Sequence, residues 1–156
     1  MNTTLLVPGL MAFLHHLLAF AVVVTLAIEL VVFSARPTVR EARLIQRADL
    51  FYGISAGLVV LIGLMRAGMF EKGWTFYTHN GFFWIKMGLL VAAGLLSIYP
   101  TVRFLKWSPL LKQGEAPVIA EAEALLIRRI LWLEAGLLVA VLLAAPLMTR
   151  ALWIWG

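Results

Sequence analysis

Residues 8–33 read PGLMAFLHHLLAFAVVVTLAIELVVF, an apolar run broken by a single formal charge, Glu29. A helix crossing the ~30 Å hydrocarbon core needs about 20 mostly apolar residues, so this stretch reads as a membrane span. Three further stretches meet the same requirement, at about residues 48–67, 82–104 and 130–148. In lipid the backbone must satisfy its own hydrogen bonds, which leaves helices and closed barrels. Runs of this length predict an all-α integral membrane four-helix bundle, one domain over residues 1–156. Residues 1–35 hold no Lys or Arg, so the basic region of a cleavable signal is missing and the first run is expected to remain as a mature helix.

Composition points the same way. The 156 residues are 63% hydrophobic and 13% charged, with a mean hydropathy of +0.96. A soluble domain carries about 45–50% apolar and about 25% charged residues. Disorder, a disulfide scaffold and a nucleic-acid-binding domain are therefore excluded as readings. The absence of Cys excludes thiolate metal sites, iron–sulfur clusters and covalently attached haem.

The net charge of +5 is a matter of topology. Arg36, Arg40, Arg43 and Arg47 fall in the first connection, and Arg103, Lys106, Lys112, Arg128 and Arg129 in the third. The second connection holds only Arg66 and Lys72. Basic loops stay in the cytoplasm, so the first and third connections are expected inside and both termini outside, in the periplasm. Trp107 and Trp132 are then expected at the inner interface, and Trp74, Trp84, Trp153 and Trp155 at the outer one.

A charge within the bilayer costs at least ~2.5 kcal/mol on insertion scales, so each one needs a reason. Glu29, Asp49 and Glu134, with Arg47, Arg103, Arg128 and Arg129 nearby in sequence, form an inner layer. It reads as an internally paired ion network, or as a proton path. His15, His16, Arg66 and Lys86 share an outer layer. The two adjacent histidines point ~100° apart on a helix, so only one can face a given ligand squarely. Met11, Met65, Met69, Met87 and Met148 fall in the same outer half, and thioether with imidazole suits copper.

Several segments resemble a bacterial family of short four-helix inner-membrane proteins: the run from His15-His16 to Phe20, Arg47-Ala-Asp49-Leu-Phe-Tyr52-Gly53, Phe70-Glu71-Lys72-Gly73, and Phe83-Trp84-Ile85-Lys86 with Gly94 to Thr101. The likeness implies a multi-pass protein of the bacterial inner membrane. A more distant likeness is to HemJ-type protoporphyrinogen oxidases and CopD-type copper proteins. The segment Phe13 to Ala19 is similar to the early His motif of HemJ, and Trp84-Ile85-Lys86-Met87-Gly88-Leu89 to its later Lys motif. The Pro-Arg pair of that pattern is replaced here by Glu29-Leu30.

The HemJ likeness implies b-type haem with His16 and Lys86 as axial ligands, His15 as substitute or supporting donor, and Arg66 and Lys72 near the propionates. It implies a redox protein, extending to an oxidase of a porphyrin precursor. Copper handling by the outer His and Met set is a second expectation. A third is a non-catalytic accessory subunit of a larger respiratory or photosynthetic membrane complex. The expected partners are the lipid bilayer, a redox partner or larger complex, and a second copy of the chain; nucleic acid is not among them.

Overall fold

In a computed structural model, which describes residues 3–150 and 153–155, every apolar run is a helix. Helix α1 spans Thr3–Val32, α2 Val39–Met65, α4 Gly81–Leu105 and α6 Glu121–Thr149. Two short helices, α3 (Trp74–Thr78) and α5 (Ser108–Lys112), sit in the second and third connections. Helix α2 continues into a π-helical turn over Arg66–Phe70. Among the described residues there is no strand, only an isolated antiparallel bridge between Asn80 and Ile154. Four stretches are long and apolar enough to cross a membrane: Leu6–Val32, Val39–Phe70, Gly81–Lys112 and Glu121–Thr149.

Helices α2 and α6 start about nine residues earlier than their apolar runs. The hydrophobic window marks only the lipid-facing part, whereas the helix starts at its cap. For α2 that cap is Thr38: its hydroxyl accepts from the Glu41 backbone N–H at 3.2 Å, and the Glu41 carboxylate accepts from the Thr38 N–H at 2.7 Å. This reciprocal box satisfies two otherwise orphaned donors. Helix α6 opens with Glu121 and Glu123 in its first turn, where carboxylates favour the positive end of the helix dipole.

The bundle is built from two principal pairs, α1 on α2 and α4 on α6, with lighter α1–α6 and α2–α4 seams between them. The main core lies towards the end that holds the first and third connections. There Leu26, Phe33, Ile45, Phe104, Ile127 and Leu131 are buried together. Trp107 belongs to this core, its ring centroid 4.8 Å from that of Phe104, rather than to an interfacial belt. The α5 turn folds it inward, which a hydropathy reading of the loop does not reveal. Trp132, Trp74, Trp84, Trp153 and Trp155 are exposed.

Side chain to backbone bonds tie this end together. Arg128 donates to the Phe33 carbonyl at 3.1 Å, Arg43 to that of Leu111 at 2.8 Å, and Gln46 to that of Phe104 at 2.6 Å. Each brings a side chain of one element onto a carbonyl near the end of another, and the Phe104 and Leu111 carbonyls also accept from the Trp107 and Gly114 N–H groups.

The opposite end is fastened by Asn80. Its amide donates to the Met148 carbonyl at 2.9 Å, and its side-chain oxygen caps α4 through the Phe82 N–H at 3.0 Å. The Gly81 N–H donates to the Trp153 carbonyl at 3.0 Å. A Cβ at Gly81 would overlap the Trp153 indole, so the close crossing requires glycine.

Candidate functional site

The outer polar residues converge on one cavity of about 360 Å³, bounded by α1, α2 with its π turn, α4 and α6. Its walls are mostly apolar, including Ala19, Val60, Leu90, Val141 and Ala145. His15 and His16 enter from α1, Arg66 from the π turn and Lys86 from α4. A pocket of this size, apolar with a few converging polar groups, has the general character of a small-molecule site.

The two histidines play unequal parts. Their rings stand at 85° with centroids 5.9 Å apart, and neighbouring side chains leave a helix in directions ~100° apart. His15 turns into the α1–α2 seam, where its Nδ1 is buried without a hydrogen-bond partner. It fits because Gly63 has no side chain: a Cβ there would stand 3.1 Å from His15 Cε1. His16 is exposed, and its Nδ1 is already bonded to the Ala12 carbonyl at 2.6 Å. The residue that the motif likeness favours is thus the less enclosed of the two.

The rim carries a small polar network that residue types alone did not suggest. Arg66 pairs with Glu71 at 2.7 Å, and the Tyr77 hydroxyl donates to the other Glu71 oxygen. Glu71 and Tyr77 both line the cavity. Burial, and then the bond to the Glu71 carboxylate, hold the Tyr77 phenol above the ordinary tyrosine range. The π turn makes the arrangement: it shifts the helical register at the end of α2, and such turns often mark functional sites. Nothing in the sequence of Arg66–Phe70 announces it except Gly68, where a Cβ would overlap the Trp74 indole.

Lys86 lines the cavity and has no ion-pair partner among the described residues. Lys72 does not line it; its ammonium donates to the Thr149 carbonyl at 2.9 Å and sits 4.2 Å from the Phe76 ring centroid. Of the five outer methionines, Met87 and Met148 reach the cavity, while Met11, Met65 and Met69 do not. No group of three or more His, Asp or Glu side chains with metal-binding geometry occurs among the described residues.

The inner layer is a carboxyl cluster rather than an ion-pair network. Glu29, Asp49 and Glu134, from three different helices, are at most 6% exposed. One oxygen each of Glu29 and Glu134 has no hydrogen-bond partner. Asp49 accepts from the Thr101 hydroxyl at 2.6 Å, and the Tyr52 hydroxyl lies against Glu134. Of the expected basic partners, Arg103 forms a two-pronged pair with Glu123 and Arg128 binds the Phe33 carbonyl, while Arg47 and Arg129 form no ion pair among the described residues. Proximity in sequence misled because Arg103 pairs with the partly exposed Glu123, which costs less desolvation than pairing with a fully buried carboxyl.

No curated protein and no solved structure matches this chain. The family model described as predicted membrane protein (DUF2214) matches residues 7–152, which takes in all four spans, the outer cavity and the inner carboxyls. The chain is therefore a multi-pass membrane protein belonging to the DUF2214 family.

Proposed function

We propose that this protein is a redox protein of the bacterial inner membrane that holds b-type haem in the outer cavity, with His15 as the iron-facing side chain. The reading rests on the His15 imidazole, whose Nδ1 is buried without a hydrogen-bond partner and which lines an apolar cavity that Lys86 also lines. A b-type haem needs an imidazole nitrogen free to face iron, apolar walls for the ring, and basic groups for its propionates. His15, the aliphatic lining and the Arg66–Lys86 pair of cations answer these needs. When bound, the group would supply one-electron transfer.

The chain's own residues set the conditions. Gly63 leaves room for the His15 ring beside α2. The aliphatic lining keeps water from the site. Lys86, which lines the same cavity, would serve as a second ligand or as a propionate partner. Arg66 is engaged by Glu71, so a propionate has to compete for it. The inner carboxyls Glu29, Asp49 and Glu134 stand on three helices below the cavity, and we assign them the role of moving protons if the site turns over. Both termini then face the periplasm, which puts the basic first and third connections in the cytoplasm. An oxidase of a porphyrin precursor is the extension that the HemJ likeness suggests.

The test is a reduced-minus-oxidised absorption spectrum of detergent-purified protein from haem-replete cells. A Soret band that is lost in His15→Ala and kept in His16→Ala supports the assignment. A colourless wild type would sink it. A second reading, Cu(I) binding, draws on Met87 and Met148 lining the same cavity as His15. It expects stoichiometric copper retention that survives Lys86→Ala.

A further inference from the structure

A second cavity, of about 730 Å³, opens at the other end of the bundle between α2 and the α4–α5 segment. Its α2 wall follows one helical row. Arg43 and Arg47 are one turn apart, and Leu50 and Ile54 continue the row along the span. Lys112 of α5 supplies a third cation across the groove. Among the described residues, neither Arg47 nor Lys112 has an ion-pair partner. Arg43 is held in place by its bond to the Leu111 carbonyl, which uses one guanidinium nitrogen. Asp49, the acid in the wall, is already bonded to Thr101.

Below the cations the groove is mostly aliphatic and exposed, with Asp49 and Thr101 as its polar pair. Leu50 and Ile54 are 59% and 50% exposed, and a Cβ at Gly53 would meet no atom within 4 Å. The groove thus has a cationic head, an aliphatic stem and a side that faces the bilayer. We propose that it binds one anionic phospholipid, with the phosphate headgroup at Arg43, Arg47 and Lys112 and an acyl chain along Leu50, Gly53 and Ile54. Charge complementarity selects the headgroup, because basic pockets between spans attract anionic lipid. The open lane beside Gly53 selects a lipid over a soluble phosphate. This groove is separate from the outer cavity, so the proposal stands or falls independently of haem.

The test is native mass spectrometry of the full-length protein in detergent, titrated with dioleoylphosphatidylglycerol or dioleoylphosphatidylcholine. One tightly retained phosphatidylglycerol is expected, with clearly weaker phosphatidylcholine binding. Arg47→Gln with Lys112→Gln is expected to weaken that binding roughly thirtyfold, the scale for removing two basic side chains. Gly53→Leu starts its side chain in open space, and is expected to weaken binding without lowering the unfolding temperature. Equal retention of both lipids, or unaltered phosphatidylglycerol binding in both variants, would overturn the proposal. So would displacement of the lipid by an equal concentration of inorganic phosphate.

Discussion

The His15 imidazole of α1 packs over Gly63 of α2, so closely that a methyl group in place of the Gly63 hydrogen would stand 3.1 Å from its Cε1. That contact separates effects on the site from effects on the fold. Gly63→Ala gains about 1 kcal/mol of helix propensity, which offsets the cost of moving the imidazole by a few tenths of an ångström. The unfolding midpoint of the variant should stay within a few degrees of wild type. Occupancy by the proposed haem, read as the ratio of Soret to protein absorbance, should fall severalfold. Unchanged occupancy in a well-folded Gly63→Ala protein would mean that His15 does not face the ligand.

How far the sequence reveals this molecule depends on the kind of interaction. The four spans were legible because lipid imposes a length and a composition on each helix. The gathering of His15, His16, Arg66 and Lys86 at one cavity was legible too, since helical rise places residues of known depth at one level. Which of the His15 and His16 rings is enclosed was not legible. It depends on which ring falls on the α2 seam, and that follows from a glycine on another helix. The Glu71–Tyr77 bond was hidden for a similar reason, because the π turn that aims it leaves no periodic signal. The fate of the inner acids turned on competition: Arg103 found Glu123 in the first turn of α6 instead of a buried carboxyl.

Glu29 and Glu134 test that last point directly. Removing one partner of a buried ion pair costs about 3–5 kcal/mol, because the other charge is left uncompensated. No such pair exists at either residue among the described residues. Glu134→Gln and Glu29→Gln keep the shape of the side chain and should change stability by less than about 1 kcal/mol, or raise it. Thermal unfolding in detergent is the measurement, and a fall of ten degrees or more would restore the ion-pair reading.

Asn80 should behave in the opposite way. It is fully buried, and its one side chain caps α4 and binds the Met148 carbonyl. Asn80→Ala removes a cap worth about 1 kcal/mol and leaves a buried carbonyl unanswered, at about 1–3 kcal/mol more. For a chain of this size, a drop of roughly 5–15 °C in unfolding temperature is expected. Asn80→Ser keeps a capping oxygen without burying a charge and loses the amide donor to Met148, so it should fall between Asn80→Ala and wild type. If Ser proves as damaging as Ala, the cap contributes little and the Met148 bond carries the effect.

Glu71 is shared between Arg66 and Tyr77, and Tyr77→Phe separates the two contacts without disturbing the aromatic packing on Phe76 and Phe83. The hydroxyl donates to a charged acceptor, so its removal should cost about 1.5–3 kcal/mol. The pH dependence has a definite sign. The folded phenol holds its proton beyond the ordinary tyrosine value of about 10. The stability tied to it is complete below that pH and is lost as the pH rises above it, where the unfolded chain ionises first. Wild type should therefore lose stability between about pH 10 and 12 more steeply than Tyr77→Phe. Phenolate absorbance near ~295 nm supplies the check, since the wild-type minus Tyr77→Phe difference should show one tyrosine titrating above the ordinary value. If that difference titrates at or below the ordinary tyrosine value, Glu71 does not accept from Tyr77, and Arg66 alone holds the carboxylate at the cavity rim.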